Sequence, residues 1–484
     1  MKNERIKYYL FFVILLVLWS SFLFNKVGII SFKPLSGVQE ATPRPDFNVK
    51  SWMSGDFQTA YNKYQEENIF ARNWLIRFIN QIRYSLFNET NASKIVVGKD
   101  GYLYEQQYID SYLGSDFIGE DKMKSKLELT LSLQKELKKA GKELLILVLP
   151  GKGVFYPEYL PGFVNNAKRQ TTNYECFSKF VKNYGINVID FQKVFLDRKK
   201  SSQYPLMPKC GIHWSYYGMS MAMDSTLKYM EALRGIDMPD YKVLNYYSKP
   251  EFQSPDYDLG ELINVMCKIP QPELGYPNYE ITQDPKKVKP FVLTIGDSFY
   301  WNLYYDSLPQ RLFSNVQFWY YNSSVYPETF NAPLNVKQLD LKAEINKQDF
   351  IVILTTEAGL SNLGYGFIED ACSIFSISVN VSDDLISTYI NRIKNDPEWM
   401  KGISKKAKEN NISEDEQVRI DAEWLIKQEK GDLTERIKWY VNEINNDPEW
   451  LEAVKKKAIE KNIPLEKMIM QDAQWSAENE TPPQ

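Results

Sequence analysis

One histidine, His213, is all the imidazole that this 484-residue chain has. That excludes a metal site built on several imidazoles, and it makes His213 the only imidazole base for any catalysis. Cysteine is also scarce. Cys176, Cys210, Cys267 and Cys372 form no C-x-x-C pair, so neither a zinc ribbon nor a dithiol motif is indicated. An oxidising compartment would allow one or two disulfides, which spacing cannot pair. No metal and no cofactor is expected. An excess of positive charge is missing too: 58 Lys and Arg stand against 62 Asp and Glu, a net charge of −4. The footprint of a nucleic-acid binder is therefore absent. A long uncharged apolar run occurs only near the start, from Tyr8 to Phe24, behind Lys2, Arg5 and Lys7. No small-x-small cleavage site follows it. The pattern predicts an uncleaved signal anchor within residues 1–30, at the short end for a bilayer span. The positive charges favour a cytoplasmic amino terminus, although Lys26 and Lys33 weaken the bias. Residues after about 30 are then expected in the periplasm or outside the cell.

Four regions follow from patterning. Residues 31–90 are a linker with Pro34, Pro43, Pro45, Gly37 and Gly55, followed by lead-in helices over 57–88. Residues 91–378 alternate strand and helix. A hairpin signal at KIVVGKDGYLYEQQY comes first. Buried-strand runs then recur at 143–150, 186–191, 291–295, 316–321 and 349–357, with helical patterns at 121–141, 171–184 and 212–234. That order predicts an α/β domain with a doubly wound, mostly parallel sheet. A Pro- and Tyr-rich connection fills 236–288 and has room for irregular strands. Residues 379–484 are polar, all-α and internally repeated at a spacing of 51. NDPEW recurs at 395–399 and 446–450, and Ala407, Ile412, Ala422 and Trp424 match Ala458, Ile463, Ala473 and Trp475. Two tandem units of about three helices are expected, with a disordered tail from 476. The matched positions are mainly apolar and point to packing rather than chemistry.

FVLTIGDSFYWNL, residues 291–303, is the stretch with the most chemical promise. A strand, a glycine turn and a helix start put Ser298 where backbone N–H groups are unpaired and can bind an oxyanion. Asp297 and Ser298 can equally be helix caps. A serine nucleophile needs a base within hydrogen-bond reach, and His213 is the candidate. Lys152, Asp190, Ser298, Asn322 and Glu357 all end or follow strand candidates, so they can share the rim where α/β sheets bind ligands. Among 32 Tyr and 11 Trp, Trp214 and Tyr217 are candidates for stacking on a sugar ring, with core packing as the alternative.

GDSF at 296–299 resembles the first block of the SGNH hydrolase superfamily. The order of an amino-terminal anchor, GKDGYLY (98–104), LPGKGVFYPEYLP (149–161), HW (213–214) and GDSF is similar to the alginate O-acetyltransferase family of the AlgJ/AlgX type, over roughly residues 46–376. The resemblance implies an SGNH-like domain outside the cytoplasmic membrane. It implies transfer of acetyl groups onto hydroxyls of an exported polysaccharide, with Ser298 as nucleophile and His213 as base. It further implies an acetyl supply from a membrane-bound O-acyltransferase partner. The chain departs from the family at one place. The pattern D-x-H-W would put an acid at 211, and this chain has Gly211. Either Asp190, Glu357 or a backbone carbonyl is then expected to orient the histidine, or activity is expected to be low. Lys152 is expected to touch substrate or assist Ser298, and Asp297 to cap or anchor the turn. Two other readings stay open: a carbohydrate acetylesterase using water as acceptor, and a non-catalytic polysaccharide-binding or scaffold protein.

Overall fold

The computed structural model describes residues 5–15, 19, 32–37, 42–69, 71–282, 284–327, 334–375 and most of 389–425 and 440–479. Contacts divide the chain into two compact units, Met1–Ile377 and Ser378–Gln484.

In the first unit a hairpin pairs β1 (Ile95–Val97) with β2 (Leu103–Glu105). The main sheet takes β3 (Glu143–Leu149) and β4 (Val188–Asp190) from the first half of the unit. The long connection folds as a separate antiparallel pair, β5 (Tyr241–Tyr247) with β6 (Tyr276–Ile281). The main sheet resumes with β7 (Val292–Gly296), β8 (Gln317–Tyr320), β9 (Ser324–Tyr326), β10 (Leu334–Asn335) and β11 (Phe350–Thr356). Its order is β10-β9-β8-β7-β11-β3-β4. The five strands from β8 to β4 are parallel, and β9 and β10 close one edge antiparallel. Counted from β7, the parallel strands run 2-1-3-4-5, the flavodoxin-like doubly wound order. The chain starts that cycle at its fourth strand. This is why the histidine precedes the serine.

The central strands read as unbroken apolar runs because both faces are covered. Leu145, Leu147 and Leu149 face one core with Val292, Val352, Leu354 and the helix Tyr216–Arg234. Leu144, Ile146 and Val148 alternate onto the other face with Leu293, Ile295, Ile351 and Ile353. There the helices Glu120–Lys139, Asn173–Tyr184 and Phe367–Ile374 cover them. Ser215 caps the helix 216–234 by accepting from the Gly218 N–H at 3.1 Å.

Residues 5–15 are helical, and the anchor run beyond them lies largely outside the described residues. Among the described residues no helix is long and apolar enough to cross a membrane. All four cysteines are free, with only Cys267 exposed, so the disulfides that an oxidising compartment would allow are not formed.

In the second unit each repeat has its own small core. Ile393, Ile403, Val418 and Ala422 pack together, and Ile444, Val454, Ile469 and Ala473 do so 51 positions later. Ala407 and Ala458 are buried, whereas Trp424 is 56% exposed and takes no part in the core. Ile463 lies outside the described residues. The last helix, Leu465–Asn479, takes in residues 476–479 of the stretch expected to be a disordered tail, and the rest of that stretch lies outside the described residues.

Candidate active site

The serine turn is built by its neighbour. Asp297 is buried, and its Oδ1 accepts the Phe299 N–H at 3.0 Å. Its Oδ2 accepts the Thr356 N–H at 3.0 Å and the Tyr365 hydroxyl at 3.3 Å. The carboxylate therefore fastens the turn after β7 to the end of β11. Burial raises its pKa. Ser298 is left half-buried at the carboxyl edge of the sheet. The Tyr321 hydroxyl faces it. Tyr321 is held at φ 50°, a region few non-glycine residues adopt, and is 42% exposed.

The histidine reaches the same place from the other half of the sheet. His213 lies just before the helix 216–234 and is 7% exposed. Its ring meets that of Phe299, the residue after the serine, edge-on with centroids 5.1 Å apart. The carboxyls of Asp297 and Glu105 lie within electrostatic reach of the ring. Two bonds clamp the segments together. The Trp214 indole N–H donates to the Phe299 carbonyl at 3.0 Å, and the Asn302 amide donates to the Trp214 carbonyl at 3.3 Å.

Behind the ring stands Asp258, with Oδ2 2.9 Å from His213 Nδ1. This is an ion-pair distance, but the ring N–H is not aimed along it, and neither ring nitrogen makes a hydrogen bond of regular geometry among the described residues. Asp258 is itself oriented: Oδ1 accepts the N–H groups of Ile212 (2.9 Å) and Leu259 (2.7 Å). Gly211 explains why the acid comes from here. A Cβ at 211 would lie 2.7 Å from Pro208 Cγ and 2.8 Å from the Asp256 carbonyl oxygen. The loop that delivers Asp258 occupies the space an acid at 211 would need.

Lys152 is wholly buried. Its ammonium donates to the carbonyls of Lys209 (2.5 Å) and Gly211 (2.7 Å), holding the segment that carries His213. Burial pushes its pKa down to about 7. Glu357 is buried at the end of β11 and accepts the Gly151 N–H; burial pushes its pKa up to about 8. Asp190 caps the next helix through the Lys193 N–H (3.0 Å) and accepts from the Tyr174 hydroxyl (2.8 Å). The position beside Nδ1 thus belongs to Asp258, and neither Asp190 nor Glu357 orients the ring. The sugar-stacking expectation for Trp214 and Tyr217 is also corrected. They are 1% and 8% exposed, the first in the clamp and the second packed against Tyr204 and Tyr246. Asp258, Glu105 and Tyr321 are site residues that patterning did not single out. No metal-holding group of His, Cys, Asp and Glu occurs among the described residues.

Residues 95–300 match the family described as "SGNH hydrolase-like domain, acetyltransferase AlgX". Over these residues the chain is similar to that family. The match covers the hairpin, β3, the histidine segment and the serine turn. A curated relative, the probable alginate O-acetylase AlgJ of Pseudomonas syringae pv. tomato, is 28% identical over 139 residues, 29% of this chain. That alignment spans about a third, 34%, of the relative's length. Among solved structures, the O-acetyltransferase domain of Pseudomonas putida AlgJ is 16% identical at a TM-score of 0.38, covering 55% of this chain and 92% of that one. Pseudomonas aeruginosa AlgX is 13% identical at 0.38, covering 62% and 72%. Bacillus cereus PatB1 is 13% identical at 0.37, covering 56% and 99%.

Proposed function

We propose that this AlgJ/AlgX-like protein is an extracytoplasmic O-acetyltransferase that acetylates hydroxyls of an exported polysaccharide. The observation that carries the reading is the convergence on one histidine: Asp258 stands 2.9 Å behind His213 Nδ1 while the ring packs against the residue next to Ser298. Asp258 favours the tautomer with the proton on Nδ1, leaving Nε2 as the base. Nε2 is itself buried and makes no hydrogen bond among the described residues. Ser298 Oγ attacks the acetyl carbonyl as His213 Nε2 takes its proton, and the acetyl-serine forms as the donor's leaving group departs with that proton. The Ser298 backbone N–H, at a turn where the Phe299 N–H is already taken by Asp297, is the nearest donor for the oxyanion. A sugar hydroxyl then gives its proton to Nε2 and attacks the acetyl-serine; the acetyl bond to Ser298 Oγ breaks, and Oγ takes that proton back from Nε2.

The chain needs an acetyl donor on the far side of the membrane, and a membrane-bound O-acyltransferase partner is the source proposed. Residues 8–24 are proposed as the single-pass anchor. Gly211 and the helical repeats favour a non-catalytic scaffold when the sequence is taken alone, and Asp258 beside Nδ1 supports the catalytic reading. The deciding measurement supplies the full chain with an activated acetyl ester and a polysaccharide acceptor. Acetylated sugar and a Ser298-bound acetyl group by mass spectrometry are expected, and both vanish in Ser298→Ala. Free acetate unaffected by acceptor would instead make the protein an esterase.

A further inference from the structure

The helix Arg72–Ile82 is built inside out. Its one buried residue among those described is polar, Asn80, whose amide donates to the carbonyls of Ile263 (3.0 Å) and Asn264 (3.2 Å). Arg77 on the adjoining face donates to the carbonyls of Lys33 (2.8 Å) and Pro34 (2.7 Å). The opposite face carries Trp74, Leu75, Phe78, Ile79 and Ile82, between 39% and 51% exposed, and the turn that continues the helix adds Leu86 at 70%. Spacings of three and four put these side chains on one stripe. The Trp74 and Phe78 rings stack flat at 5.4 Å, so the stripe begins with a continuous aromatic surface. A soluble face of this kind is a signature of a covering partner. Polar side to the protein and apolar side outward is the arrangement of a helix lying in a bilayer interface.

What covers it follows from where the chain goes. Arg77 grips the backbone at Lys33 and Pro34, and Phe24, the last residue of the uncharged apolar run, is only eight residues before Phe32. Eight residues reach at most about 28 Å. A bilayer holding residues 8–24 therefore has its surface within that reach of Phe32, next to the backbone that Arg77 holds. Arg72 and Arg83 stand at its two ends, suited to lipid phosphates, and Trp74 is the residue type enriched at membrane interfaces. We infer that the face from Trp74 to Leu86 rests in the outer interface of the phospholipid bilayer that anchors the chain. This rests on the anchor reading of residues 8–24.

The test reconstitutes the full chain in phospholipid vesicles containing a phosphatidylcholine with a diazirine on its acyl chain. After irradiation, labelled peptides are mapped by mass spectrometry. Label is expected both before residue 32 and between residues 74 and 86. Replacing Phe78 and Ile79 by Glu, at exposed sites, is expected to cut the second label several-fold with the unfolding midpoint unchanged. Label before residue 32 alone overturns the docking face and leaves the anchor standing. Label in neither overturns both. A photoreactive residue at 79 that crosslinks in cells to a protein, and not to lipid, also overturns the lipid assignment.

Discussion

Gly211 and Asp258 are two sides of one exchange. The acid that the D-x-H-W pattern leads one to expect at 211 is gone, and a carboxylate 47 positions later stands beside His213 Nδ1. Asp258→Asn is expected to lower acetyl transfer by about 10³–10⁴-fold through loss of the productive tautomer. Stability should change little, because the amide oxygen can still accept the Ile212 N–H. The check is kcat beside the thermal midpoint. Restoring the expected acid with Gly211→Asp is expected to fail. Its Cβ would press on the Asp256 backbone, costing about 1–3 kcal/mol, readable as a lowered midpoint without gained activity. Asp258 was not legible beforehand because nothing in its spacing from His213 links the two; only the fold of the irregular 236–288 connection does. Glu357 offers a pH test. Its pKa is raised to about 8, so between its ordinary value of 4.5 and 8 the folded state holds the extra proton. Stability is then full at low pH and falls as pH rises through that window, by up to about 1.4 kcal/mol per pH unit. Lys152, lowered to about 7, acts oppositely above pH 7, where the unfolded state binds more protons and stability rises. Glu357→Gln is expected to flatten the fall between pH 5 and 8 in midpoint-against-pH curves and to leave the rise above it.

The main parallel strands were readable because burial on both faces removes polar residues from them, and the helix 216–234 was readable from its serine cap. What escaped was how the elements clasp each other. Trp214 is a large aromatic beside a candidate base, and sequence offers no means to tell a sugar platform from a clamp. The structure gives it the clamp, through its indole bond to the Phe299 carbonyl. Trp214→Phe keeps most of the apolar volume and loses that bond. A fall in kcat of about 10-fold or more is expected with little change in KM, since misplacing the base by a fraction of an ångström affects the reaction more than binding. Steady-state kinetics against acceptor sugar would check it; an unchanged kcat would reduce Trp214 to core packing.

On the scale of the whole chain, the repeats at 51 residues carry separate cores from those on either face of the sheet. Ending the chain after residue 377 is therefore expected to leave the unfolding midpoint of the first unit within a few degrees of its full-length value and acetyl transfer to a short acceptor intact. Differential scanning calorimetry with the same assay would test both. The sheet order has a further consequence for how the protein comes into being. His213 follows β4 and Ser298 follows β7, yet β11, the last strand made, lies between β3 and β7. Until residues 350–356 have been synthesised and inserted, the base and the nucleophile belong to two half-sheets with no shared strand. A chain still being delivered therefore carries the two residues on separate half-sheets, and the proposed acetyl transfer is expected to wait until that strand joins the halves.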